Sequence, residues 1–321
     1  MKKVLMFCLM ICMFTTLVGC NDDKTTIGII QFDEHPALDK TTEGFIAALE
    51  AEGFVDGKNI KIDFKSASGD PANAETIADQ FVNEKKSLIF AIATPAAQSA
   101  AQKTQDIPIV VAAVTNPENS GIVDSNEKPG GNVTGVSDLT PVVEQVALLL
   151  ELLPNTKKVA IMYTNSEDNS RYQAELAKKA LDALGIQWVD ASVSDISQIQ
   201  QVTESLVGKV DAIYIPTDNS IAKGMSTIAM VATEHGIPCI VGEEGMVAGG
   251  GLATIGIDYY NIGYLAGKQA AKILRGESVP ADMPIEYLGE DEREIVINKK
   301  VADELGIVIP ESLLNKATIV E

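Results

Sequence analysis

Leu88-Ile-Phe-Ala-Ile-Ala-Thr-Pro-Ala-Ala-Gln98 predicts a buried strand that runs through a short polar turn into a helix. The six residues Leu88–Ala93 are apolar and too few for a helix of usual length. Thr94 can cap the helix that follows, and Pro95 suits its first turn. A strand that leads directly into a helix is the building unit of a parallel sheet.

The same alternation continues along the chain. Predicted buried strands are Ile27–Ile30, Ile60–Phe64, Leu88–Ala93, Ile109–Val114, Val159–Tyr163, Ala212–Ile215, Ile237–Val241 and Leu252–Ile255. Helical segments between them include Pro36–Glu52, Pro71–Glu84, Pro95–Gln105, Asn169–Leu184, Asn219–His235 and Asn261–Leu274. This order predicts α/β architecture with parallel sheets covered on both faces.

The chain also repeats itself, which predicts two similar halves. The segment Ile27–Phe54 has a counterpart in Val159–Ile186, and Leu88–Val111 has one in Ala212–Val241. We therefore expect two Rossmann-like, doubly wound lobes joined near Pro154. Ligands of such sheets bind beyond the carboxyl ends of the strands, and two facing lobes would form a cleft there.

The N-terminus resembles the signal segment of a bacterial lipoprotein. Lys2 and Lys3 precede an apolar stretch that closes in Leu17-Val18-Gly19-Cys20. The resemblance implies a signal peptide over residues 1–19, lipid attachment to Cys20 and a tether over residues 20–26. The alternative is a plain secretory signal whose cleavage site contains a cysteine.

Composition limits the function classes. The chain carries a net charge of −20, and removal of Lys2 and Lys3 with the signal would make it −22. Such acidity disfavours nucleic acid and anionic membrane surfaces as partners. Cys239 is the one cysteine after Cys20, so no disulfide can form beyond that point and Cys239 is expected in the core. We expect no metal site and no cofactor, and the motifs of common hydrolases and nucleotide-binding proteins are absent.

Polar turns follow the predicted strands on the cleft side. The helix that begins near Thr94 offers free backbone amides to a carboxylate, and small residues let a ligand approach. The alternative is a capped helix without a ligand. A second polar turn contains Thr115, and Phe32 and His35 follow the first strand at the cleft rim.

The second half offers carboxylates. Asp218 lies in the turn Pro216–Ser220, where it either caps a helix or meets the ammonium group of a ligand. Asp258 is the second candidate for that ammonium partner. The nearby Tyr259, Tyr260 and Tyr264 line a pocket or pack in the core.

Four segments together resemble one family of ABC-transporter substrate-binding lipoproteins, whose better-known members bind tryptophan, tyrosine or phenylalanine. They are the turns Thr94–Gln98 and Pro216–Ser220, the stretch Gly256–Arg275 and the tail Val296–Ile309. The resemblance implies the type I periplasmic-binding-protein fold, with three crossovers and hinge closure. It assigns residues 27–154 and 257–278 to lobe 1, and residues 155–256 and 279–321 to lobe 2.

The resemblance also implies a ligand site. The ligand carboxylate would lie near Thr94, Ala96, Ala97 and Thr115. Polar contacts from the second lobe would come from Asn169, Thr217, Asp218 and Asn219, with Asp258 at or beside the ammonium group. The expected protein is a monomeric, lipid-anchored, non-enzymatic receptor on the outer face of the cell membrane that delivers an amino acid, aromatic by preference, to ABC permease subunits.

Three other functions stay open at this stage. A sugar or nucleoside receptor would use more stacking aromatic residues, and a sensor would present its liganded surface to a membrane kinase. An extracytoplasmic enzyme would need a nucleophile or acid–base pair, for which no motif is evident.

Overall fold

The computed structural model describes residues 24–321, so the predicted signal peptide and Cys20 lie outside the described residues. The strands are β1 (Thr25–Gln31), β2 (Ile60–Ser66), β3 (Leu88–Ile92), β4 (Ile109–Ala112), β5 (Val133–Val136), β6 (Lys158–Thr164), β7 (Gln187–Val193), β8 (Ala212–Ile215), β9 (Cys239–Val241), β10 (Ala253–Ile257), β11 (Arg293–Asn298) and β12 (Thr318–Val320). The helices are α1 (Pro36–Ala51), α2 (Pro71–Asn83), α3 (Thr94–Lys103), α4 (Val142–Leu152), α5 (Asp168–Ala183), α6 (Ile199–Leu206), α7 (Asn219–Glu234), α8 (Glu244–Ala248), α9 (Tyr259–Leu274), α10 (Lys299–Glu304) and α11 (Glu311–Leu314). None of these helices has the length and apolar character needed to cross a membrane.

Two sheets form two lobes with the same winding. The first sheet has the order β2-β1-β3-β4-β5, and the second has β7-β6-β8-β9-β10 followed by β11 and β12. In both, the first strand of the lobe lies between the second and the third, which is the order 2-1-3-4-5 of a doubly wound sheet. The predicted fold class and its internal repeat are therefore confirmed.

The strands pair in parallel, with one exception. Ile29 of β1 lies opposite Phe64 on one side and Phe90 on the other. The exception is β11, which runs antiparallel to β10 after the chain has returned from the first lobe. Each lobe has its own apolar core, and Cys239 is a buried free thiol in the second, as predicted.

The chain first crosses from one lobe to the other earlier in the sequence than expected. Helix α4 packs in the core of the second lobe, where Val146 and Leu149 join the cluster that contains Val159. The chain therefore crosses before Val142, and the boundary expected at 154 is wrong by the length of this helix. The reason is the wide apolar face of α4, which only the second sheet covers.

The chain makes its last crossing, from the first lobe back to the second, later along the sequence than expected. The backbone N–H of Glu286 donates to the Gly135 carbonyl at 2.9 Å, and Glu286 forms a parallel bridge with Val136 of β5. Residues up to Glu286 thus stay with the first lobe, although the sequence analysis assigns 279–321 to the second.

Helix α9 returns to the first lobe and packs against α1 at very short range. A Cβ atom at Gly263 would lie 1.9 Å from the Thr41 carbonyl oxygen, and one at Gly44 would lie 2.0 Å from that of Tyr260. Two glycines thus allow the backbones of these helices to touch, which fixes the N-terminus of α9 beside that of α1. This contact brings Tyr259 to the edge of the cleft.

Candidate functional site

The carboxyl ends of both sheets meet between the lobes. His35, Thr94, Thr115 and Asp138 follow β1, β3, β4 and β5 in the first lobe. The second lobe contributes the turns after β6, β8, β9 and β10. The sequence-predicted turns are therefore brought to one place, as the doubly wound topology requires.

Side chains bridge the lobes around this meeting point. Lys223 Nζ donates to Asp33 Oδ1 at 2.8 Å, and Gln98 Nε2 donates to Asp168 Oδ2 at 2.7 Å. Deeper in the cleft, Gln173 Nε2 donates to Thr115 Oγ1 at 3.3 Å. These contacts show that the lobes are closed on one another.

A small cavity lies inside the closed cleft. Its volume is about 20 Å³, which is room for about one water molecule, so the closed lobes leave little free space there. Its lining residues are His35, Leu38, Ala113, Asp138, Asn169, Thr217, Asp218, Asn219, Ala222, Glu243 and Tyr259. A wider groove outside it contains Phe32 and the Asp33–Lys223 pair and opens to solvent. The inner cavity, which both lobes line, is the candidate site.

The N-terminus of α3 is uncapped beside the cleft. Ala93 precedes the helix with φ 76° and has no side-chain oxygen to cap it. The helix begins at Thr94, one residue earlier than expected, and Thr94 Oγ1 is buried without a partner among residues 24–321. Uncapped amides carry partial positive charge, so this end favours an anion.

Strained backbone accompanies this helix end. Ala93 and Ala113 both have positive φ, which L-residues rarely adopt, and they follow the neighbouring strands β3 and β4. Such strain tends to be retained where it positions groups for a ligand. Four predicted carboxylate-binding residues are buried beside the inner cavity and are not part of its lining: Thr94, Ala96, Ala97 and Thr115.

Asp138, which the sequence analysis did not identify, is the carboxylate of the first lobe in the cavity. It is 4% exposed, and burial raises its pKa. Thr115 Oγ1 donates to one of its oxygens at 3.0 Å, and the Tyr259 hydroxyl donates to the other at 2.9 Å. Each oxygen keeps a lone pair that a further donor can use.

Asp218 lines the cavity, but its carboxylate oxygens already hold several donors. The backbone N–H groups of Ile221 and Thr164 donate to it at 2.8 and 2.6 Å, and the Thr164 hydroxyl donates at 2.9 Å. Burial and the neighbouring Glu167 raise its pKa. Asp218 thus caps α7 and ties it to β6, so it does not suit the expected role of ammonium partner.

Asp258 does not enter the cavity. It is exposed at the N-terminus of α9, where it accepts from the backbone N–H groups of Tyr260 and Asn261 at 2.8 and 3.2 Å. Its carboxylate is thus occupied in capping α9, and its expected place at or beside the ligand ammonium group stays a prediction that this geometry does not favour. Of the three tyrosines near it, only Tyr259 lines the cavity.

The other predicted ligand-binding residues of the second lobe lie at the inner cavity. Thr217, Asn219 and Asn169 all line the cavity. Asn169 Nδ2 donates to Glu167 Oε2 at 3.2 Å and to the Thr217 carbonyl at 3.1 Å. Because both partners are acceptors, the amide orientation is fixed. Asn169 Oδ1 is left buried without a partner among residues 24–321.

Two further carboxylates were missed by sequence reasoning. Glu167 accepts from Asn219 and Ser220 and holds the turn after β8. Glu243 lines the cavity and caps α8 by accepting from the backbone N–H groups of Gly245 and Met246. Its position directly after β9, in Val241-Gly242-Glu243, is the signal that could have found it.

The electrostatics of the cavity favour a ligand cation. Its charged lining residues are acidic, and burial lowers the pKa of His35, which keeps the imidazole neutral. Within residues 24–321, no group of three His, Cys, Asp or Glu side chains is placed to hold a metal ion. A ligand ammonium group facing the acidic wall and a carboxylate at α3 would complement both charges.

The buried Glu243 should make stability depend on pH. Burial raises its pKa from 4.5 to about 7, so the folded chain holds this proton more tightly than the unfolded chain does. Its stabilising contribution is complete below about pH 4.5 and is lost as the pH rises through 7. In the Glu243→Gln variant, we expect the free energy of unfolding to lose a pH dependence on the order of 3 kcal/mol between these values.

Urea unfolding at several pH values measures this effect. Glu244→Gln is the matched control, because Glu244 is the adjacent carboxylate and its side chain is 46% exposed. An identical pH dependence in wild type and Glu243→Gln would contradict the assignment.

Comparison with known proteins agrees with this geometry. The family model described as ABC transporter substrate binding protein matches residues 26–321. A protein named Tyrosine-binding protein from Clostridioides difficile (strain R20291) is 46% identical over 286 residues, which cover 87% of this chain and 82% of that protein.

Solved structures show the same fold. A domain from Streptococcus pneumonia in complex with L-Trp is 39% identical and superimposes with a TM-score of 0.89, covering 93% of this chain and all of the other. A ligand-free, open structure of a substrate-binding protein from Clostridium difficile is 42% identical and has a TM-score of 0.71. The match covers 92% of this chain and 99% of the other. The lobes of this chain are thus arranged more like those of the L-Trp complex.

Proposed function

Because this chain belongs to the ABC transporter substrate-binding protein family, we propose that it captures an aromatic L-amino acid and presents it to an ABC permease. The observation that carries the proposal is the pairing of an uncapped helix N-terminus with a buried carboxylate in one closed cleft. The α-carboxylate and α-ammonium groups of an amino acid need these two partners.

The carboxylate binds at the start of α3. The Thr94 hydroxyl is buried and has a free donor, and the first amides of the helix add to its positive end. Thr115 follows the neighbouring strand β4, but its hydroxyl already donates to Asp138. Thr115 therefore positions Asp138 rather than the ligand carboxylate.

The ammonium group binds Asp138 and Asn169. Asp138 has unused lone pairs on both oxygens, and Asn169 Oδ1 is an unpartnered acceptor from the opposite lobe. The two residues belong to one chain of contacts, in which Gln173 Nε2 lies 3.4 Å from the Asn169 carbonyl and 3.3 Å from Thr115 Oγ1. A ligand held by both lobes favours the closed state, because only that state makes both sets of contacts.

The aromatic preference is supported by the relatives. One relative is named for tyrosine and a solved neighbour holds L-Trp, at 46% and 39% identity. The cavity offers Leu38, Ala113 and Ala222 as apolar lining. A sugar or nucleoside receptor is less well supported, since Tyr259 is the one aromatic residue of the lining other than His35 and its hydroxyl is committed to Asp138.

Replacement of Asp138 tests this function. Removing the charge opposite a desolvated ammonium group costs about 2–5 kcal/mol. In Asp138→Asn we therefore expect L-tyrosine or L-tryptophan to bind at least tenfold more weakly by titration calorimetry. Asn retains acceptor and donor groups for Thr115 and Tyr259, so the fold should persist.

Asp258→Asn is the matched control, because Asp258 is an exposed aspartate at the edge of the same cleft. It should bind as wild type does. Equal affinity of wild type and Asp138→Asn would refute the ammonium assignment, and a wild-type protein that binds no aromatic amino acid would refute the proposed function.

We propose further that Cys20 carries the lipid anchor that holds this receptor at the membrane. Two or three acyl chains suffice for stable attachment. In a bacterial host supplied with a labelled fatty acid, the full chain should take up the label, and Cys20→Ala should not. Cys12→Ala, which changes a cysteine of the predicted signal peptide, should keep the label. Labelling of Cys20→Ala would contradict the anchor.

A further inference from the structure

His35 has no role in the site described so far, although it lines the cavity. It follows β1, is 8% exposed and is one of only two histidines in the chain. Its Nε2 lies 3.4 Å from Asn219 Oδ1 across the cleft. Its Nδ1 is buried without a partner among residues 24–321, which leaves a polar atom unsatisfied in the cavity wall.

The neighbouring contacts fix which nitrogen of His35 carries the proton. Asn219 Nδ2 donates to Glu167 Oε2 at 2.6 Å, and Glu167 also accepts from the backbone N–H of Asn219 at 3.1 Å. A carboxylate only accepts, so Asn219 must turn its oxygen toward His35. Nε2 therefore carries the hydrogen, and Nδ1 of the neutral ring presents a lone pair.

His35 and Asp138 approach the cavity from different parts of the first sheet. The strand order places β1 on one side of β3, and β4 and β5 on the other. Adjacent strands lie about 4.8 Å apart, so the ends of β1 and β5 are separated by three such steps. Both side chains nevertheless line the same cavity, so a ligand whose ammonium group is held by Asp138 lies beside His35 as well.

We propose that His35 Nδ1 accepts a hydrogen bond from the ring of the bound amino acid, so that this receptor selects aromatic side chains that carry a donor. Tyrosine has a phenol O–H and tryptophan an indole N–H, whereas phenylalanine has neither. Phenylalanine would leave Nδ1 buried and unpaired. This inference rests on the proposed function, because it names a specificity residue of the same cavity.

The test compares tyrosine with phenylalanine in wild type and in His35→Gln. Glutamine keeps an N–H that can reach Asn219 but offers no ring nitrogen at the Nδ1 position. Wild type should bind tyrosine roughly tenfold to a hundredfold more tightly than phenylalanine. In His35→Gln this ratio should fall to about one, mostly through weaker tyrosine binding.

The ratio of tyrosine affinity to phenylalanine affinity distinguishes recognition of the ring donor from a general loss of binding. A variant that only impairs lobe closure would weaken both ligands equally and leave the ratio unchanged, which would overturn the proposal. His235→Gln is the matched control, since His235 is the other histidine and is exposed after α7. 4-Fluorophenylalanine, which lacks a donor, should bind as phenylalanine does, and tyrosine-like binding of it would also overturn the proposal.

If wild type binds none of tyrosine, tryptophan and phenylalanine, the proposed function itself fails. If it binds both tyrosine and phenylalanine with a ratio that His35→Gln leaves intact, only the role of His35 fails. Calorimetric titration of each variant with each amino acid gives both answers in one series.

Discussion

The burial of carboxylates between the two lobes is the constraint on which the site depends. Asp138, Asp218, Glu167 and Glu243 are each at most 4% exposed, and a buried carboxylate is tolerated only when donors surround it. Glu167, Asp218 and Glu243 accept hydrogen bonds from backbone N–H groups in the turns and helices of the second lobe. They therefore hold the strand-end turns in shape. Asp138 differs, because hydroxyl groups supply its two side-chain donors.

Through its hydroxyl donor Thr115, the Asp138 carboxylate is connected to the contacts that hold the two lobes closed. Thr115, which donates to Asp138, accepts from Gln173 of the opposite lobe, and Gln173 also bonds Thr217. A ligand ammonium group at Asp138 thus acts on the contacts that join the lobes. Closing removes the remaining water from the site, which strengthens each charged contact inside it. The strand order that the two sheets share brings these turns together, and the side chains and amides of the turns make the contacts.

The sequence predicts the architecture well and the site in part. Alternation of apolar runs with helices such as α1 and α5 is a local pattern, and it locates all eight expected strands. Helix α4 was placed in the wrong lobe, because its apolar face does not tell which sheet covers it. Asp138 was missed because β5, Val133-Thr134-Gly135-Val136, is interrupted by threonine and glycine and did not stand out as an apolar strand. Asp258 was chosen for its charge, but its side chain caps a helix, a contact that depends on side-chain direction rather than on sequence position.

A crystal structure with bound L-tyrosine tests the central claim most directly. We expect the ammonium group of the ligand within hydrogen-bond distance of Asp138 in the inner cavity, and its carboxylate beside that cavity at Thr94 and the start of α3. Tyrosine in the outer groove beside Lys223, or in the inner cavity with its ammonium group at the start of α3, would contradict it.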